Sequence, residues 1–269
     1  RRWSATRLCW LPGGAEEEPN WTSWIENCQQ AKVLYLGEEH DSVLDHQIQA
    51  RTLQALHDRG HRLVVVAEMF QFPARQTLDD YVAGKLNDEQ LFEGSEWKKR
   101  WGHAWEQYLP IWQICQREKI PLKALRNSSE SGRQLNKLGS AAFTPEERQG
   151  LAPEPYSFGP NPESLRPVFE AHAGPVSQAA FERFLVVQTL WEEFMAAQIR
   201  QALQQHPQAM VVVLVGKGHL LHGHGLPTRV ATHWPSPLVQ LVALVNPDAE
   251  EKKRAQCVWT TSSTPSKDD

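Results

Sequence analysis

Three histidines, His219, His222 and His224, fall within six residues of the stretch VVVLVGKGHLLHGHGLPTRV (211–230). Imidazoles can move a proton near neutral pH, or ligate a metal. His219 also closes a Gly-x-x-His pattern after an apolar run, VVLVGKGH (212–219), and the pattern recurs in VLYLGEEH (33–40), ending at His40. Gly37 and Gly216 let the backbone leave a strand through a tight turn, which presents each histidine at a sheet edge. Parallel α/β sheets take ligands at the carboxyl ends of their strands. If the two strands lie near one another, His40 and His219 face one crevice.

Carboxylates accompany the imidazoles. Glu38 and Glu39 adjoin His40, while Asp41 and Ser42 suit the N-terminus of a following helix. Glu68 ends the run LVVVAE, where a carboxylate is nearly buried and needs a partner, a proton or a metal. The plainer alternative makes the histidines helix caps or satisfied polar core groups. Arg126, after PLKAL (121–125), is either an ion-pair partner for Glu68 or a clamp for a ligand carboxylate. His46 lies about 600° of helical rotation beyond His40, so it faces either the strand ends or the helix surface. Trp97, Trp101, Trp105, Tyr108 and Trp112 recur at spacings of 4, 4, 3 and 4, which is one helical face. Such a stripe packs on the core, or forms an aromatic lid over a planar ligand.

The positioning elements alternate. KVLYLG (32–37) reads as a buried strand, 41–60 as an amphipathic helix closed by Gly60, and HRLVVVAEMF (61–70) as a second strand, parallel to the first and neighbouring it. A helical region over 74–118 breaks at GSEW (94–97). A strand at 120–125, a helix start at 126–139 and a surface connection at 140–167 follow. The long helix 176–207 leads to strands at 209–216 and 237–245, and QCVWTT (256–261) reads as an edge strand. The expectation is an α/β fold, a mostly parallel sheet with flanking helices and a helical lid at about 71–118. Its two pseudo-equivalent halves each carry a strand-GxxH motif. Residues 1–31 form an N-terminal extension, 32–261 one domain, and 262–269 a disordered tail.

Composition agrees with a soluble globular chain: 41% hydrophobic and 22% charged residues. The net charge of -4 gives no electrostatic case for nucleic acid. No apolar run approaches the roughly 18 residues that span a bilayer. Cysteines 9, 28, 115 and 257 form no CxxC, which argues against a cysteine zinc site or disulfide framework.

Taken in order, LGEEHDSVLDHQ, VVVAEMF, LDDYVAGKLNDEQLF, WGHAWEQYLPI, IPLKALRNSSE, LWEEFMAAQI and VLVGKGHLLHGHGLPTRV resemble the ChaN-like haem-binding family. That family stands in a broader grouping with TraB/Tiki-type and erythromycin-esterase-like proteins. The resemblance covers roughly 32–261. It implies haem binding linked to iron acquisition, and a homodimer holding haem at its interface. It also implies a bacterial envelope location, with membrane association through a segment not seen in this sequence. The broader grouping implies a metal-dependent or acid–base hydrolytic centre, which maps onto His40, His219 and Glu68 around one divalent ion; that ion would acidify a bound water, with Glu38, Glu39 or Glu68 taking the proton. The spacing G-E-E-H departs from the G-E-x-x-H of the esterase-like members. For haem, the resemblance implies a tyrosine ligand where this chain has His222. His222 or His224 then becomes the candidate ligand, with Tyr108 and Trp105 as further candidate contacts. The leading expectation is a binder of haem or a related tetrapyrrole. The alternatives are a metal-dependent hydrolase and a non-catalytic assembly protein with a degenerate site.

Overall fold

The computed structural model describes residues 3–7, 21–159, 162–174, 177–221 and 225–261. Its strands are β1 (Trp3–Arg7), β2 (Val33–Glu38), β3 (Leu63–Gln71), β4 (Leu122–Arg126), β5 (Met210–Gly216), β6 (Gln240–Val245) and β7 (Cys257–Thr261). They form one sheet in the order β1-β7-β6-β2-β5-β3-β4. β2 to β7 run parallel, and β1 pairs antiparallel with β7. The sequence predicts QCVWTT as an edge; β1 instead lies outside it.

The helices in the first half are α1 (Trp21–Cys28), α2 (Val43–Asp58), α3 (Arg75–Val82), α4 (Asp88–Gly94), α5 (Trp97–Arg100) and α6 (Trp105–Arg117). Then come α7 (Ser129–Gly132), α8 (Leu135–Leu138), α9 (Arg166–Ala173), α10 (Gln178–Gln205), α11 (Leu226–Thr232) and α12 (Ala249–Lys252). Among the described residues no helix is long and apolar enough to cross a membrane.

β2 and β3 are parallel, as the sequence predicts, but they are not neighbours: β5 lies between them. Like β2 and β3 on either side of it, β5, MVVVLVG, is buried at every position. A central place in a parallel sheet is where such a strand loses all its contact with water. Side chains alternate between two cores. Leu34, Leu36, Val65, Ala67, Val212 and Leu214 pack against α1 to α6, whereas Val33, Tyr35, Val64, Val66, Val211 and Val213 pack against α10 and α11.

The aromatic stripe does not occupy one helix. α5 stops after Arg100, Gly102 turns with φ +84°, and α6 starts at Trp105. Folding back brings Trp105, Tyr108 and Trp112 around Trp97, at ring-centroid separations of 4.8, 5.3 and 6.2 Å. Trp97, Tyr108 and Trp112 are buried, so this cluster is core, and a four-indole face over a flat ligand is not formed. The turn after α5 carries Trp101 and His103 to the carboxyl end of β2, beside His40.

Candidate functional site

The two Gly-x-x-His segments do meet. β2 and β5 are adjacent, so His40 and His219 leave the same end of the sheet. The pairing is one residue out of step: Gly216 faces Glu38, and Gly37 faces Val215. The offset gives the glycines different tasks. A Cβ on Gly216 would lie 2.8 Å from His40 Cε1 and 2.9 Å from Nε2, so its absence makes room for the imidazole. A Cβ on Gly37 would strike Leu244 Cδ2 at 2.5 Å, an apolar close approach.

His40 is backed by the first helical layer. Its Nδ1 lies 2.9 Å from Glu38 Oε1, and the Tyr108 hydroxyl donates to the same oxygen at 2.7 Å. Gln49 Nε2 donates to Glu38 Oε2 at 2.8 Å. Buried His46 brings Nε2 within 3.4 Å of Glu38 Oε1, and its ring lies tilted against that of Tyr108 at 3.9 Å between centroids. Burial opposes the Glu38 charge, but these contacts, the His40 hydrogen bond first, hold its carboxyl below the usual range. Burial likewise lowers His40, but its bond to Glu38 and the Glu68 charge outweigh this and raise it. Asp45 braces the turn by accepting from the Glu39 N–H at 2.8 Å and the Ser42 hydroxyl at 2.8 Å. Burial pushes Asp45 up to about 6 in spite of those bonds.

His219 is backed by the other layer. Its Nδ1 lies 3.1 Å from Glu192 Oε1 and 3.2 Å from Gln188 Nε2, both on α10. Glu192 in turn accepts from Arg229 Nε at 3.1 Å, and Arg229 also donates to Glu193 at 2.6 Å. Glu68 joins the layers from β3. It accepts the Gly216 N–H at 2.7 Å and lies 3.6 Å from His219 Nε2. Burial would raise Glu68, but the His219 charge and hydrogen bond, then the charges of His40 and Arg126, lower it to about 2. Burial would lower His219, but the Glu68 charge and the Glu192 bond raise it to about 10.

The rim carries Trp101, with its ring 4.7 Å from His40, and His103, whose Nδ1 lies 2.9 Å from Asp41. Arg126, at the end of β4, stands 5.7 Å from the Trp101 ring and 5.8 Å from that of Trp191.

His40, Glu38, Glu68, His219 and Arg126 thus come to one crevice. Three other expectations do not. Glu39 is exposed and bound outward by Lys217 at 2.5 Å, because its side chain leaves the strand on the solvent side of the turn. Trp105 packs on Trp97 and on Phe92, at 5.5 Å from the latter, so it belongs to the aromatic core. The Tyr108 hydroxyl is committed to Glu38 and to the His40 carbonyl, and burial followed by the Glu38 charge raises its pKa strongly. It therefore braces the crevice from beneath and offers no free phenolate. His222 and His224 lie outside the described residues. The expected divalent-metal centre at His40, His219 and Glu68 is not assembled. Among the described residues no three His, Cys, Asp or Glu side chains are grouped to hold a metal ion. Glu68 is spent on the Gly216 amide and on His219, while the two imidazoles turn toward carboxylates in opposite layers.

Glu192 and Arg229 were not singled out from the sequence. Two adjacent acids inside the apolar helix LWEEFMAAQI were the available signal, since a buried carboxylate needs a cation or a donor.

A family model described as haem-binding uptake, Tiki superfamily, ChaN matches residues 24–230. The chain belongs to the ChaN family. Its match takes in every crevice residue named above. A search among curated proteins returned no match. Among solved structures, one of cofacial haem binding to ChaN of Campylobacter jejuni is similar, with TM-score 0.71 and 17% identity, covering 91% of this chain and 92% of that one. The type III effector HopBA1 follows with TM-score 0.52 and 12% identity, covering 88% of this chain and 90% of that one. At these identities the likeness is one of fold. The ChaN fold, an α/β sheet flanked by helices, is the one described here.

Proposed function

We propose that this chain binds haem, or a closely related tetrapyrrole, at the crevice formed by the carboxyl ends of β2, β5, β3 and β4. The observation that carries the reading is the haem-binding family match over 24–230, which encloses the whole crevice. The residues fit the group. Imidazoles suit haem iron, indoles suit the macrocycle, and a cation suits its carboxylates. His222 or His224, in the glycine-containing stretch just past His219 in the sequence, would ligate the haem iron. Glu38 and Glu192 hold the rings of His40 and His219 in fixed orientation, and the Trp101 indole lies at the rim. Bound there, haem supplies a redox-active iron. A role in iron or haem handling, a homodimer around the ligand and an envelope location complete the proposal.

The hydrolase reading has less behind it. A general base works best with a pKa near the operating pH. Glu68 at about 2 and His219 at about 10 are matched as an ion pair, far from that range.

Titrating ligand-free protein with haemin tests the proposal. The expected result is a saturable Soret shift, lost or redrawn in the His222→Ala/His224→Ala double variant. A titration indistinguishable from haemin in buffer overturns it.

A further inference from the structure

Among the described residues of the crevice, Arg126 is a cation with no carboxylate partner. Each carboxylate there has nearer donors. Glu38 is held by His40, Tyr108 and Gln49. Glu68 is held by the Gly216 amide and His219, and Glu192 by Arg229 and Gln188. The Arg126 guanidinium itself makes no hydrogen bond and no ion pair among the described residues. Its near neighbours are the Trp101 and Trp191 rings.

A guanidinium presents five donors in a planar fork that matches a carboxylate bidentately. Flanking indoles restrict the fork by cation–π contact while supplying no acceptor. Glu68 acts on Arg126 only through its charge, across a gap longer than an ion pair. A half-buried fork, restrained between two rings and lacking an acceptor, is a preorganised receptor for an incoming oxyanion.

We infer that Arg126 is the carboxylate receptor of this site, and that it selects tetrapyrroles bearing a free propionate over their esters. The inference rests on the haem reading and sharpens it to the acid form of the ligand. Arg126 engages one propionate between Trp101 and Trp191, which places the carboxylate end of the macrocycle at the end of β4. Esterifying that propionate removes both its charge and one acceptor of the bidentate pair.

The test compares haemin with haemin dimethyl ester, and protoporphyrin IX with its dimethyl ester. The proteins are the full chain, Arg126→Gln and Arg126→Lys. Affinities are read from the Soret band and from tryptophan quenching. The wild-type chain is expected to favour each free acid by about tenfold or more, in line with a charge-assisted bidentate bond. In Arg126→Gln that preference should fall to near unity, with ester affinity little changed. Arg126→Lys, which keeps the charge but loses the fork, should fall between. Circular dichroism checks folding, and the wild-type acid-to-ester ratio needs no variant. Acid and ester binding equally well to the wild type overturns this inference and leaves the haem reading standing. An acid preference that persists in Arg126→Gln does the same. Binding of neither tetrapyrrole overturns both.

Discussion

His219 and Glu68 carry charges that tie folding to pH in two directions. His219 titrates at about 10 in the folded chain, above its ordinary 6.5. The stability it contributes is whole below about 6.5 and is lost as pH rises toward 10. Glu68 titrates at about 2, below its ordinary 4.5, so its contribution is whole above 4.5 and is lost as pH falls toward 2. These are two views of one ion pair, and they do not add. The prediction is a thermal midpoint that falls between pH 6.5 and 10 in the wild-type chain, with a flatter alkaline limb in His219→Gln. Parallel alkaline limbs in the two proteins would refute it. His40, His219 and Glu68 were legible in the sequence, because a polar residue just past an apolar strand has few places to go. Glu192 and Arg229 were not, since only the packing of α11 on α10 puts a guanidinium beside that acid.

Among the elements, α11 is fastened to α10 by charge as well as by Leu226 and Val230 in the core. Arg229, Glu192 and Glu193 are all buried. Removing the cation leaves two carboxylates without their main partner, which costs about 3–5 kcal/mol in comparable buried pairs. Arg229→Leu is therefore expected to lower the urea midpoint by an amount of that order, with much of the loss recovered by adding Glu192→Gln and Glu193→Gln. A midpoint unchanged in Arg229→Leu would contradict the role given to the network. The strands and long helices were legible from their periodicity. Their arrangement was not. The insertion of β5 between β2 and β3 depends on which strand gains most from a central position, and chain order does not say. The break between α5 and α6 was hidden because the aromatic spacing runs through it at helical intervals. Gly102 was the only local sign of a turn.

For the whole molecule, the proposed dimer predicts a change of mass with ligand. Light scattering should give about 30.6 kDa without haemin, and about twice that at saturation. A mass that stays the same throughout the titration counts against a ligand-held pair. The two helical layers are otherwise separated by the sheet, each with its own apolar core. At the strand ends they communicate. Glu38 with Tyr108 backs His40 from one side, Glu192 with Arg229 backs His219 from the other, and Glu68 feels both imidazoles. A change in the charge of one of these groups shifts the proton affinity of the others. The crevice therefore behaves as a single polybasic acid assembled from distant parts of one chain. An anion arriving beside Arg126 changes how many protons that acid retains, so uptake of a charged ligand is also an exchange of hydrogen ions with the surrounding water.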